Sequence, residues 1–188
     1  MITTLHIKNM VCPRCIETVQ NIFHTLRIEV NSVILGEVTI PIILNTTQKT
    51  QLEEVLLKNG FELLRDAKSQ LVSRVKAIVV DRIHHKTESL KVNFSTLLSE
   101  ELDHEYTSLS KLFSSVEGVT IERFILKQKM EKVKELLFYD ELTLSEIAFK
   151  MQYSSAAYLS SQFKKETGMT PSMFKRLKHP NRQSLDSL

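Results

Sequence analysis

The sequence predicts an α+β domain over residues 1–66 followed by an all-α domain, with one amphipathic helix joining them. Three observations carry this expectation. Leu5-His6-Ile7-Lys8 alternates apolar with polar residues, the period of a half-buried strand, and apolar residues then recur every three or four positions. Beyond Arg65 every periodic segment is helical. Glycine and proline number only four each, so long structureless stretches are not expected.

The first strand, around Leu5 and Ile7, leads into Met10-Val11-Cys12-Pro13-Arg14-Cys15. Ile16, Val19, Ile22, Phe23 and Leu26 follow at helical spacing. Val30 to Leu35 and Val38 to Ile40 flank Gly36, which predicts a hairpin. Thr50 and Glu53 make a capping-box pair expected to open a helix carrying Leu52, Val55 and Leu56. Asn59-Gly60 stops that helix, and Phe61 to Leu64 returns as an edge strand. The resulting order, β-α-β-β-α-β, is that of a ferredoxin-like sandwich.

Residues 67–87 form the connecting helix, with Leu71, Val75, Ile78, Val79 and Ile83 in one stripe. That stripe either packs on its own half or supplies the seam of a homodimer. Its end, His84-His85-Lys86, reads as a solvated helix terminus. The all-α domain spans 88–178, and the polar tail 179–188 is expected to fray. Asn93 caps a short helix with Phe94, Leu97 and Leu98 inside; a second helix runs from Tyr106 to Ser115 and is closed by Gly118. A longer helix keeps Ile121, Phe124, Ile125, Val133, Leu136 and Leu137 on one side. Thr143 and Glu146 form another capping box ahead of Ile147, Ala148 and Met151. Ser154 is expected to cap the next helix, whose core residues are Tyr158, Leu159 and Phe163 and whose stop is Gly168. Pro171 opens a last helix through Phe174 and Leu177.

Short helix, tight turn, second helix is the helix-turn-helix arrangement, and it occurs twice, over 93–115 and 143–167. The intervening helix, Thr120 to Leu137, is about 27 Å long at 1.5 Å per residue. Successive major grooves on one face of B-DNA lie about 34 Å apart, so a spacer of this size suits two reading helices. Residues 127–188 carry eleven Lys and Arg against seven Asp and Glu, a basic excess that favours a polyanionic partner.

Ile147-Ala148, Tyr153-Ser154, Tyr158-Leu159-Ser160, Phe163-Lys164-Lys165, Gly168 and Thr170-Pro171 stand in the order and spacing of the AraC-type regulator signature. The chain resembles that family over about residues 70–178, and Leu109 to Phe113 with Glu117-Gly118 resembles its weaker first copy. The resemblance implies a single-chain DNA-binding domain with two reading helices. By position, the groove-facing residues are Tyr106, Thr107, Ser110 and Lys111 in the first unit, and Ala156, Ala157, Ser160 and Ser161 in the second. Lys111 can donate to guanine O6 and N7, whereas alanines meet only a thymine methyl. Position 161 lacks the arginine common in the family, so the first unit is expected to carry more hydrogen-bonded readout. Asp103-His104 stands where the family usually has Gly-Tyr or Gly-Phe, and Gln152 replaces a glycine in the second turn.

Cys12 and Cys15 sit where the first strand gives way to a helix. Two thiols at this spacing can grip a soft ion such as Cu(I) or Zn(II), and a helix N-terminus favours thiolate. The Met10–Cys15 run, the β-α-β-β-α-β order and Asn59-Gly60-Phe61-Glu62 together resemble the heavy-metal-associated domain over residues 1–66. That resemblance implies Cys12 and Cys15 as metal ligands. Cys12-Pro13-Arg14-Cys15 is also similar to the glutaredoxin active-site run, with Thr39-Ile40-Pro41 echoing that fold's cis-proline loop. A redox switch closing to a disulfide, or a retained metal-free fold element, are the other readings of the pair.

No phosphate loop, nucleophile elbow or carboxylate cluster argues for catalysis, and His6, His24, His104 and His179 lack zinc spacing. No apolar run approaches the roughly 20 residues of a membrane span, and the start lacks the layout of a secretory signal. The expectation is a cytoplasmic, non-enzymatic regulator that binds double-stranded promoter DNA. Its expected partners are the transcription machinery and a second copy of the chain, with no membrane. Its N-terminal domain is expected to respond to a soft metal or thiol state. The alternative is a soft-metal carrier or CxxC thiol oxidoreductase with a helical docking domain.

Overall fold

A computed structural model of the chain describes residues 2–86 and 92–177. The tail expected over 179–188, His179 and the 87–91 junction lie outside the described residues. The chain divides into two compact units, Met1–His85 with Val92–Thr120 and Lys86–Lys91 with Ile121–Leu188.

The first unit begins with a four-stranded antiparallel sheet and two helices. They run β1 (Thr3–Lys8), α1 (Pro13–Thr25), β2 (Ser32–Ile34), β3 (Glu37–Ile40), α2 (Thr46–Lys58) and β4 (Glu62–Leu64), with strand order β2-β3-β1-β4. Leu5 pairs with Val38 and Ile7 with Leu63, which fixes the register. A one-residue slip would turn the buried Ile7, Val38 and Ile40 outward. Those residues meet Val19, Phe23, Leu52 and Leu56 from the helices in one core. Gly36, at φ +78°, makes the hairpin turn; a Cβ there would lie 3.4 Å from Ala77 Cβ.

The start of α2 differs from the expected one. Its cap is Asn45, whose Oδ1 accepts from Gln48 N at 2.9 Å while Gln48 Oε1 accepts from Asn45 N at 3.1 Å. Thr50 and Glu53 therefore lie inside the helix. Both pairs fit a capping box, and the earlier one prevails because its helix adds a full turn of backbone hydrogen bonds. Glu53 instead holds Arg65 in a bidentate pair, Arg65 Nε donating to Oε1 at 3.0 Å and Nη2 to Oε2 at 2.6 Å.

The rest of this unit is helical: α3 (Ala67–Val80), a π-helical turn (Asp81–His85), α4 (Phe94–Leu102) and α5 (Tyr106–Glu117). α3 packs against β1 and β4 and against α4 and α5. Its buried face is Val72, Val75, Val79 and Val80; Leu71 and Ile78, expected in the stripe, are only half-buried. A helix packed on two sides buries more than one 3.6-period stripe. Lys76 Nζ donates to Glu117 Oε2 at 3.1 Å, tying α3 to α5.

The second unit holds α6 (Ile121–Tyr139), α7 (Leu144–Lys150), α8 (Ala156–Thr167) and α9 (Pro171–Lys175). Thr143 and Glu146 make the reciprocal capping box expected of them. The cap of α8 is Ser155, not Ser154: Ser155 Oγ accepts from Tyr158 N at 3.1 Å. α9 ends at Lys175, and Leu177 beyond it is exposed. Among the described residues, no helix is long and apolar enough to cross a membrane.

Candidate nucleic-acid interface and dithiol site

The two helix pairs repeat each other at a spacing of 50 residues. Leu109 and Leu159, Phe113 and Phe163, and Phe124 and Phe174 are buried counterparts. Gly118 and Gly168 cap the second helix of each pair at φ +69° and +78°, a left-handed geometry that favours glycine. This register is legible in the sequence as Gly-Val-Thr-Ile at 118–121 against Gly-Met-Thr-Pro at 168–171. Counting it directly pairs Tyr106 with Ala156, Thr107 with Ala157, Ser110 with Ser160 and Lys111 with Ser161.

The structure gives those positions equivalent settings. In α5, Thr107 and Lys111 are exposed, while Tyr106 and Ser110 are half-buried. In α8, Ala157 and Ser161 are exposed, while Ala156 and Ser160 are half-buried. Each set lies at i, i+1, i+4 and i+5, one face of a helix, with Leu and Phe holding the opposite face in the core. Lys164 and Lys165 are exposed in the last turn of α8, where cations also complement the helix dipole.

The turns of both pairs place a non-glycine residue in the left-handed region, Asp103 at φ +52° and Gln152 at φ +59°. The positions where glycine is replaced thus keep the conformation glycine favours, at a steric cost of roughly 1–2 kcal/mol each. Tyr158 departs from its expected core role, for it is 55% exposed. One residue before Leu159, it lies about 100° around the helix from the buried face, and its ring tilts against Tyr153 at 5.9 Å.

Polar contacts hold the second pair to α6. Lys129 lies 5.4 Å from the centroid of the Tyr153 ring, and its Nζ donates to Met151 O at 3.1 Å. Burial pulls the Lys129 ammonium below its ordinary pKa and pushes the Tyr153 hydroxyl up to about 12. Arg123 donates to Glu166 at 2.6 Å, joining α6 to α8. These contacts orient α8 without using its exposed face.

At the other end of the chain, Cys12 is the N-cap of α1, Pro13 its first residue, and Cys15 lies one turn in. The sulfurs stand 3.3 Å apart and both cysteines are free and half-buried. Burial against the core pushes the Cys15 thiol up, although backbone hydrogen bonds from Val11 and Cys12 pull the other way. At Cys15, then, desolvation outweighs the hydrogen bonds that favour thiolate. Asn9, at φ +72°, donates from Nδ2 to Gly60 O at 2.9 Å and so fixes the loop to the α2–β4 turn. His85 is half-buried with Nε2 2.8 Å from Val11 O, and so is not the solvated end its sequence context predicts. No cis peptide occurs among the described residues, so the Thr39-Ile40-Pro41 likeness to a cis-proline loop is not realised.

Two soft donors suit a two-coordinate ion such as Cu(I). A four-coordinate Zn(II) requires further ligands, and among the described residues no group of three His, Cys, Asp or Glu side chains comes together.

Comparison with known proteins bears on the helical part. The helix-turn-helix domain family matches residues 98–177. The uncharacterized transcriptional regulatory protein YesN of Bacillus subtilis is 27% identical over 130 residues, 64% of this chain and 34% of that protein. The xylose operon regulatory protein of Haemophilus influenzae is 36% identical over 81 residues, 42% of this chain and 21% of that one. This chain thus matches only a minor part of each relative's length. Among solved structures, the C-terminal domain of AraT, a response regulator from Geobacillus stearothermophilus, superposes with a TM-score of 0.51. It is 26% identical, and the match covers 63% of this chain and 94% of that one. Residues 98–177 are therefore a helix-turn-helix DNA-binding domain of the AraC type, the kind that transcriptional regulators carry.

Proposed function

We propose that the chain is a one-component, sequence-specific regulator of transcription that acts in the cytoplasm on double-stranded promoter DNA. Tyr106, Thr107, Ser110 and Lys111 of α5, and Ala156, Ala157, Ser160 and Ser161 of α8, are its groove-facing residues. The observation that carries this reading is the same four-position outer face on two helices whose inner faces are locked by Leu and Phe. Lys111 supplies hydrogen-bonded base readout, and the α8 set reads by apolar contact and hydroxyls. A duplex selected from a random library is the probe. Lys111→Ala is expected to weaken binding to it by about 1–3 kcal/mol and to relax one base position. Equal weakening on every duplex would make Lys111 a phosphate contact, and failure to enrich any sequence would overturn specific readout.

The N-terminal domain we read as ferredoxin-like, akin to the heavy-metal-associated domain, and as the part that senses an effector. Its support is the element order, the β2-β3-β1-β4 strand order and a C-x-x-C at the first strand–helix junction. Cys12 and Cys15 would hold Cu(I) as paired soft ligands, or close to a disulfide. The double variant Cys12→Ser with Cys15→Ser is expected to keep its fold and basal affinity for the selected duplex, and to lose any response to Cu(I), Zn(II) or a disulfide oxidant. A double variant that responds as the wild type does would remove the cysteines as the sensor.

A further inference from the structure

The loop that carries the two sulfurs is tied to the helical part of its own compact unit. α3 continues into the π-helical turn Asp81–His85, a geometry rare in proteins and frequent at functional positions. The last residue of that turn, His85, reaches Val11 O. A carbonyl only accepts, so His85 Nε2 carries the proton and donates. The Val11 carbonyl and the Cys12 N–H belong to one peptide unit, which is planar and moves as a body. From the same turn, Arg82 Nη2 donates to Glu101 Oε1 at 3.2 Å, in the last turn of α4. The turn therefore holds the cysteine loop with one side chain and the first helix of the DNA-binding pair with another.

We propose that this π-helical turn couples the Cys12–Cys15 pair to the first helix-turn-helix unit, with His85 as the positioning residue on the loop and Arg82 as its link to α4. The proposal rests on the reading of the two cysteines as the sensor, and it adds the path by which their state reaches DNA. A low-molecular-weight disulfide is the oxidant. One cysteine thiolate attacks it and releases one small thiol; the second cysteine then attacks the mixed disulfide and releases the other. Two electrons and two protons leave the protein, and one S–S bond forms in it. The sulfurs, 3.3 Å apart when free, must close to about 2.05 Å. Closure at the N-cap of α1 displaces the Val11–Cys12 peptide, so His85 must follow its acceptor or lose it. The Lys76–Glu117 pair also joins α3 to the DNA-binding helices, but it does not touch the cysteine loop.

Amide hydrogen exchange of the full chain tests this, with α4 amides followed before and after treatment with glutathione disulfide, and thiols counted by alkylation. In the wild type, oxidation is expected to change α4 exchange by about fivefold. In His85→Ala the disulfide should form to the same extent while α4 exchange stays unchanged. His85→Gln, whose Nε2 also donates, should restore the response. Arg82→Gln leaves the loop untouched and should uncouple α4 in the same way, so the test survives if His85→Ala folds poorly. An unchanged α4 in the oxidised wild type, or an undiminished response in both His85→Ala and Arg82→Gln, would overturn the proposal and leave the cysteines as a sensor acting by another path. Failure of the disulfide to form at all would overturn it too, together with the thiol reading of the pair.

Discussion

Phe163→Ala is expected to cost the second helix-turn-helix unit about 3–5 kcal/mol, the usual range for deleting a fully buried phenyl ring. Phe163 has no exposed surface, and its ring meets Phe174 edge-on at 5.5 Å. Removing it opens a cavity between α8 and α9 and frees the inner face that orients Ala157 and Ser161. A loss of this size is a large part of the roughly 5–15 kcal/mol that holds a domain together. Chemical denaturation followed by circular dichroism measures it, with two controls. Phe163→Leu should cost far less, since most of the volume stays. Tyr158→Ala should cost under about 1 kcal/mol, because surface substitutions outside special sites usually do little. A Phe163→Ala protein as stable as the wild type would show that α8 is not held by its core.

The affinity for the selected duplex should fall by about a thousandfold between 50 and 200 mM salt, as expected when about six phosphates are neutralised. The groups available are cationic and exposed: Lys111 on α5, Lys150 at the end of α7, Lys164 and Lys165 on α8, and Lys175 and Arg176 at the end of α9. Lys175 also pairs with Asp140, so it contributes less than its charge suggests. The slope of log K against log salt reads the number directly. Lys164→Gln and Lys165→Gln should each make it shallower by about one. A slope near zero would sink the reading of a polyanion partner.

Much of the second helix pair was legible in the sequence because its signals are local. A capping box at Thr143 and Glu146, glycine where the chain must turn left-handed, and Pro171 at a helix start act within a few residues. The repeat at 50 residues was present there too, and it aligns the two outer faces position by position. The hairpin around Gly36 follows from the same kind of evidence. Local signals fail where two of them compete. Asn45-Gln48 and Thr50-Glu53 both offer a box, and Ser154 and Ser155 both offer a cap; the sum of backbone hydrogen bonds and core contacts chooses between them.

Other features were decided by tertiary structure, because they depend on what lies opposite a residue rather than beside it. Tyr158 belongs to the motif by position, yet packing places its ring on Tyr153 rather than in the core. Burial, a quantity with no sequence period, is the main cause that pushes the Cys15 thiol up, against the pull of backbone hydrogen bonds from Val11 and Cys12. His85 lies 74 residues from Val11, and Arg82 lies 19 from Glu101. No spacing rule links either pair. The sequence by itself determined the order of elements, since propensity, capping and periodicity are properties of neighbouring residues, while the outer faces of α5 and α8 came from it only by position, through the family resemblance. Only the tertiary structure decided that α3 packs on both the sheet and the first helix pair, and that its last turn grips the cysteine loop, because those contacts exist only once distant segments are brought together.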